Sequence, residues 1–334
     1  MTSIKDVARL SGLSTATVSR VLANKTNVAE ETRERVEKAV AELGYRPNRI
    51  ARSLRVQTST KIGLVLSDIR NPFFTEVARA VEDEAYERGY SVMICNTDES
   101  QEKEQMYLDI MQDENVAGVI FSPTQQFDPA RQAERSRMPM VIIDRSIDLP
   151  KQNHACGYDM VLLDNFAAGY ELAKHMIEQG CRRLVGVFGS TGHTGKIRCE
   201  GFRRALADHG LSSLAEYFVP PRQECGYEQV TACLQSGLQP DGIMTSNSLL
   251  CAGAYQALRQ ADYRIPQDVM LSGFDETFWS SIVEPNMTVI SQPTKEIGHL
   301  AVSLLLARIA DSTRLQQTVY LQGTLLPRGS TAHP

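Results

Sequence analysis

The sequence predicts an α/β protein made of a small helical head and a larger body of two doubly wound lobes. Three observations carry that expectation. Apolar residues recur at helical spacing through the first 43 residues, strand-like and helical runs alternate from Lys61 onward, and 334 residues that are 42% hydrophobic can bury more than one core. The alternation covers roughly 270 residues, for which two lobes with a cleft between them suit the limit on core size better than one sheet.

Charge divides the chain in the same place. The first 60 residues hold eleven Lys and Arg against six Asp and Glu, so a head of about +5 precedes a body of about −10 in a chain of net charge −5. A basic head on an acidic body suits a protein that meets phosphates with one end only. No apolar run follows Met1 and no segment has the length of a membrane span, so a cytoplasmic protein without a membrane partner is expected. Seven cysteines without a CxxC pair read as reduced structural thiols, and six histidines without an HExxH pattern predict no metal.

In the head, Ile4, Val7 and Ala8 repeat at helical spacing, Ser11-Gly12 breaks the pattern, and Val18, Val21 and Leu22 resume it. Ser3 and Ser14 stand where N-caps belong, and Asp6 follows Ser3 at capping-box distance. Two short helices joined by a tight turn form a helix-turn-helix. Its second helix enters the DNA major groove with the first turn leading, which makes Thr15, Ala16 and Arg20 the candidate base-reading residues. Helical period returns over Glu30–Leu43, with Thr32, Val36, Ala39, Val40 and Leu43 on one face and Gly44 as the stop. Ala29 offers no hydroxyl cap there, but Glu30 and Glu31 favour the helix dipole.

Three runs, IKDVARLSGLSTATVSRVLAN, GYRPNRIARSLR and IGLVLSDIRNPFF, together resemble the lactose-repressor (LacI/GalR) family of bacterial transcription regulators, and the resemblance covers nearly the whole chain. It implies a helix-turn-helix DNA-binding domain over 1–46, a hinge helix and linker over 47–60, and an effector-binding and dimerisation core over 61–334. That core would be two-lobed, doubly wound and similar to periplasmic sugar-binding proteins, with chain crossovers near 159–163, 288–293 and 320–323. In the hinge, Pro47 ends what precedes, Asn48 can cap, and Ile50, Ala51 and Leu54 make one apolar face too short to be stable alone. The resemblance implies that the hinge folds on DNA and pairs with its twin. Asn48, Ala51, Leu54 and Arg55 would then meet DNA, and Leu54 would enter the minor groove as an apolar wedge.

In the body, strand-like runs lie at Ile62–Leu66, Ser91–Cys95, Val116–Phe121, Met140–Ile143, Leu184–Phe188, Gly242–Thr245 and Met270–Gly273. Helical segments such as Phe74–Arg88, Asp164–Glu178, Arg198–His209 and Leu249–Gln260 lie between them. The run from Gly189 to Ile197 imitates a phosphate-binding loop. It fails both of that motif's requirements, because five residues separate Gly189 from the Gly195-Lys196 pair and Ile197 follows the lysine. The resemblance instead places Thr194 and Arg198 on effector, with Asn247 and Asp275 from the same lobe and Phe74 and Asp144 from the other. These types suit a sugar, whose hydroxyls donate and accept while an aromatic ring covers its apolar face. Ser248 follows Asn247 where relatives commonly carry Asp, and Pro221 stands near a position that is aromatic in some of them. Arg145, His193, Lys196 and Arg198 gather cations around the cleft, which predicts a sugar acid such as gluconate or ketogluconate as effector, against the alternative that they are solvated loop residues.

The expected function is allosteric repression of carbohydrate or sugar-acid genes, without a cofactor and without enzymatic activity. A homodimer would bind near-palindromic double-stranded operator DNA, and a small sugar-like effector would alter its affinity. No heptad tail follows LLPRGSTAHP, in keeping with a dimer. The alternatives are an activator or a purine-type co-repressor-dependent regulator and, more remotely, a sugar-binding transport protein or sugar-converting enzyme.

Overall fold

A computed structural model describes residues 2–22, 28–45, 59–147 and 158–332. The chain forms two compact units, Met1–Ser59 and Thr60–Pro334.

Three helices make the first unit: α1 (Ile4–Ser11), α2 (Thr15–Leu22) and α3 (Glu30–Leu43). Asp6 Oδ2 accepts from the Ser3 amide at 3.0 Å and from its hydroxyl at 2.8 Å, which fixes the entry to α1. Gly12 ends α1 at φ 64°, a left-handed conformation that glycine adopts without a Cβ clash. Ser14 Oγ accepts from the Thr17 amide at 3.1 Å and so starts α2. Val7, Val18, Val21, Val36 and Ala39 close the core between the helices. Arg35 of α3 donates to the Ser11 carbonyl at 2.8 Å, satisfying an acceptor that the end of α1 leaves without a partner. Helix α3 starts at Ala29 without a side-chain cap and ends at Gly44, φ 56°.

The second unit begins with β1 (Lys61–Leu66), α4 (Pro72–Glu87), β2 (Ser91–Asn96), α5 (Gln101–Asp113), β3 (Val119–Phe121), α6 (Pro129–Arg135), β4 (Met140–Ile143) and β5 (Asp159–Leu163). It continues with α7 (Asn165–Glu178), β6 (Leu184–Gly189), α8 (Thr194–Asp208), β7 (Ala215–Val219), α9 (Gln223–Gln235), β8 (Gly242–Thr245), α10 (Ser248–Gln260), β9 (Met270–Phe274), α11 (Phe278–Ile282) and β10 (Thr288–Ser291). It closes with α12 (Thr294–Ala310), β11 (Thr318–Leu321), β12 (Thr324–Leu326) and a 3₁₀ turn, Gly329–Thr331.

The strands form two sheets of matching order, β11-β5-β4-β3-β1-β2 and β12-β10-β9-β8-β6-β7. All pairs are parallel except β10 with β12. Each sheet buries both faces, as parallel sheets must when helices cover them. Ile62, Leu64 and Leu66 pack on Val77, Val81, Ala301 and Leu305 on one side of the first sheet, while Val65 and Phe121 pack with Leu108 and Met111 on the other. In the second sheet Phe188 and Phe274 face Leu172 and Phe202, and Val187, Ile243 and Leu271 face Val230 and Ala254.

The chain passes between the sheets at three places, the first one residue beyond 159–163 and the other two within 288–293 and 320–323. Residues 159–163 are strand β5 of the first sheet, and the chain leaves at Asp164 to begin α7 of the second lobe. It returns at Gln292-Pro293 after β10 and leaves again at Gln322-Gly323 between β11 and β12. Helix α8 starts four residues before the expected Arg198, because Gly195 lets its first turn press against β6. A Cβ there would sit 2.2 Å from the Gly189 carbonyl oxygen.

Six cysteines are free among the described residues, and burial pushes the thiols of Cys181, Cys199 and Cys251 up to about 12. No helix among the described residues is long and apolar enough to cross a membrane.

Candidate functional site

Loops that leave the carboxyl ends of parallel strands converge with helix N-termini, which is where open α/β sheets take ligands. In the larger unit the two sheets bring those ends to one cleft. The first lobe lines it with Asp68, Asn71, Phe73 and Phe74 after β1, Glu99 after β2, and Asp144 and Arg145 after β4. The second lobe lines it with Thr191, Thr194 and Arg198 after β6, Pro221 after β7, Ser246 and Asn247 after β8, Asp275 after β9 and Gln292 after β10.

Asp144 and Asp275 hold equivalent places at the ends of the third strand of each sheet, with φ of 67° and 69°. Aspartate is among the few residues with a side chain that tolerate this left-handed backbone. Asp275 Oδ1 accepts from Gln292 Nε2 at 2.6 Å, and its Oδ2 accepts from the Ser248 amide at 3.3 Å. Burial pushes both carboxyls above their usual range, opposed at Asp144 by Arg145 and Arg198 and at Asp275 by Arg198 and Gln292.

Arg198 is 5% exposed and stands between these carboxylates. Its Nε donates to Asn165 Oδ1 at 2.7 Å, its Nη1 donates to the Ser246 carbonyl, and its guanidinium lies 4.0 Å over the Phe274 ring. Burial lowers its pKa, and Asp275 and Asp144 hold it charged. The backbone approach that seats it is close: a Cβ on Gly169 of α7 would lie 2.3 Å from the Arg198 carbonyl oxygen.

Arg145 is engaged differently. Glu99 takes its fork through Nη1 at 2.7 Å and through Nη2, and Nη1 also donates to the Pro123 carbonyl at 3.1 Å. Its Nε lies 3.2 Å from Asp144 Oδ2 but without the alignment of a hydrogen bond. Burial works against its charge, yet Glu99 and Asp144 outweigh burial and raise its pKa.

All seven effector residues expected from the sequence, Phe74, Asp144, Arg145, Thr194, Arg198, Asn247 and Asp275, stand on the wall of this one cleft. Two depart from their expected chemistry. Asn247 Oδ1 caps α10 by accepting from the Leu250 amide at 2.8 Å, which leaves its NH2 for a ligand. Arg145 is not an open cation. His193 and Lys196 are exposed and are not on this wall, though His193 lines an adjoining pocket with Asp144 and Thr194. Asp68, Glu99, Asp144 and Asp275 line the cleft beside the two guanidiniums, with Asp68 itself taken by Arg70 through Nε at 3.0 Å and Nη2 at 2.8 Å.

Sequence reasoning missed Asn71, Glu99, Thr191, Ser246 and Gln292. Asn71 and Gln292 each precede a proline at a strand-to-helix junction, a signal that could have found them. Thr191 Oγ1 is buried without a hydrogen-bond partner among the described residues, as a group awaiting a ligand or water would be.

In the smaller unit, α2 turns Val18 and Val21 into the core and leaves Thr15, Ala16 and Arg20 exposed. Ala16 and Arg20, four apart, share a helix face. The hinge residues Asn48, Ala51, Leu54 and Arg55 lie outside the described residues.

The model for "bacterial regulatory proteins, lacI family" matches residues 3–48, and the model for "periplasmic binding protein-like domain" matches residues 173–331. The chain is 34% identical over 336 residues to the ribose operon repressor of Escherichia coli (strain K12), covering 99% of this chain and 100% of that one. It is 33% identical to the HTH-type transcriptional repressor PurR of Aliivibrio fischeri (strain MJ11), covering 99% and 98%. The lac repressor dimer bound to operator and the anti-inducer ONPF shares the fold with a TM-score of 0.87 at 24% identity, over 99% of both chains. The transcriptional regulator CelR in complex with cellobiose does so at 0.74 and 26% identity, over 99% and 100%.

Proposed function

Because the chain belongs to the lacI family of bacterial regulatory proteins, as a DNA-binding transcriptional repressor with an effector-binding core, we propose that its effector is a small, uncharged, polyhydroxylated molecule of monosaccharide size. The charge balance of the cleft carries this reading. Arg145 is forked by Glu99, and Arg198 commits Nε to Asn165 and Nη1 to the Ser246 carbonyl, so neither guanidinium offers a carboxylate or phosphate a free two-pronged edge. A neutral sugar fits because its hydroxyls donate to the Asp144 and Asp275 carboxylates and accept from Arg198 and the Asn247 amide. Phe73 and Phe74, edge to face at 5.0 Å, supply the apolar wall. The ribose operon repressors among its relatives agree with an aldose of this size.

The mechanism follows from the two-lobed core. Both lobes contribute carboxylates, amides and a guanidinium to the cleft, so a ligand bound across it favours the closed arrangement and shifts the population toward it. In a homodimer that shift couples to the DNA-binding heads. Exposed Thr15, Ala16 and Arg20 read base edges in the two half-sites of a near-palindromic operator, while Asn48, Ala51, Leu54 and Arg55 meet its centre. The domains divide at 1–46, 47–60 and 61–334.

A thermal-shift screen against neutral aldoses, sugar acids, sugar phosphates and purines tests the reading, since a ligand that binds only the folded state raises stability by RT ln(1 + [L]/Kd). A shift with a neutral aldose that is lost in Asp275→Asn, together with altered operator affinity, supports it. A shift with a sugar acid or phosphate alone refutes it.

A further inference from the structure

We propose that Glu99 is the residue that excludes acidic ligands from the cleft, by occupying the guanidinium fork of Arg145 that a ligand carboxylate would otherwise take. The proposal rests on the reading of the cleft as a sugar site and adds how it selects among sugars.

Glu99 is not placed there by local preference. It and Asp98 follow β2 in consecutive left-handed conformations, φ 62° and 51°, which residues with side chains seldom adopt. Several contacts hold this turn. Asp98 accepts from Asn96 Nδ2 at 2.7 Å and from Lys103 Nζ, and the Glu99 amide donates to the Ser67 carbonyl at 3.2 Å. Strain retained at a ligand-facing position under such constraint points to a use for the side chain it presents.

The use is visible in what Glu99 meets. Both of its carboxylate oxygens pair with Arg145 Nη1 and Nη2, so the outer edge of the guanidinium, the edge that binds carboxylates two-pronged, is filled by the protein itself. The remaining edge is closed as well. Nε faces Asp144 at 3.2 Å, and Gly192 of the second lobe lies so near that a Cβ on it would be 2.7 Å from Nε. An acidic ligand would have to displace Glu99 into a cleft already holding Asp144 and Asp275, adding like charge at close range. A neutral ligand meets no such penalty and can still accept a single hydrogen bond from Arg198. Selection here works by a repulsive element, which specificity needs as much as attraction.

The test compares matched ligands that differ only in charge: neutral aldoses and the aldonates of the same skeletons, measured by isothermal titration on the full-length protein and on Glu99→Gln, Glu99→Asp and Glu99→Gln/Arg145→Gln. Wild-type protein is expected to bind an aldose at least tenfold more tightly than its aldonate. In Glu99→Gln, whose shape is preserved, the ratio of aldonate to aldose affinity should rise at least tenfold, carried by a gain for the aldonate. Glu99→Asp should keep the wild-type preference, and removing Arg145 as well should abolish the gained aldonate affinity. If wild-type protein binds aldose and aldonate equally, the proposal is overturned even should the variants not fold, and the sugar reading stands. If Glu99→Gln folds and binds the aldose but gains nothing for the aldonate, the proposal alone fails. If no aldose or aldonate binds wild-type protein, the sugar reading falls and takes the proposal with it.

Discussion

Replacing Arg198 by methionine tests the electrostatic design of the cleft. The substitution keeps an unbranched stem of similar bulk and removes the cation that acts on both partly buried Asp144 and buried Asp275. It also removes the donors to Asn165 Oδ1 and to the Ser246 carbonyl. Asp275 would then lose the cation that opposes its burial, while Asp144 keeps Arg145 at 3.2 Å; uncovering a buried charge in this way costs up to about 3–5 kcal/mol at neutral pH. The sign with pH is fixed by the direction of the shifts. A carboxyl whose folded pKa is raised stabilises the fold below its unfolded pKa, near 3.8, and loses that contribution as pH rises through the higher folded value. Without Arg198 both pKa values move further up. The destabilisation of Arg198→Met relative to wild type should therefore be smaller at pH 5 than at pH 7.5, by up to about 1.4 kcal/mol for each pKa unit gained. Urea unfolding at both pH values, at one fixed protein concentration, measures it. A variant within 1 kcal/mol of wild type at pH 7.5, on the ~1.4 kcal/mol-per-decade scale, or one destabilised more at pH 5, would refute the reasoning.

Other perturbations reach other parts of the molecule. Arg20→Ala should lower operator binding by about 1–3 kcal/mol with little change on random DNA, as measured by fluorescence anisotropy; equal weakening on both would make Arg20 a phosphate contact. Leu54→Ala should weaken operator binding and DNA bending while calorimetric effector affinity stays unchanged; undiminished bending would remove the wedge. Arg308→Met should cost up to about 3–5 kcal/mol in urea unfolding, because it takes from fully buried Asp159 the guanidinium paired with it at 2.8 and 3.0 Å and leaves only Arg314, 3.9 Å away. Gly169→Ala should lower the melting temperature and weaken effector binding together, since the new Cβ would collide with the backbone at Arg198; retained affinity would show that α8 can move without disturbing the cleft.

The sequence by itself determined what is local in cause. Helix periods, caps and the glycine stops at Gly12 and Gly44 delimit α1, α2 and α3 because each depends on residues within one or two turns. Strand-helix alternation specified the fold class, and the family resemblance implied Asp144, Arg198, Asn247 and Asp275, in keeping with a parallel sheet that sends its strand ends to one side. Short edge strands such as β7 and β11 escaped, because half-exposed runs like Ala215–Val219 and Thr318–Leu321 lack the continuous apolar pattern of a buried strand. Only the tertiary structure decided how the charges are spent. Glu99 and Arg145 are 46 residues apart and look in sequence like a solvated acid and a free cation, yet they neutralise each other inside the cleft. Asn247 reads as a ligand group, but its oxygen serves the helix that follows it. Residue type shows which charges a cleft could offer. Pairing across space decides which remain, because a buried charge keeps its field only where no opposite charge is folded against it.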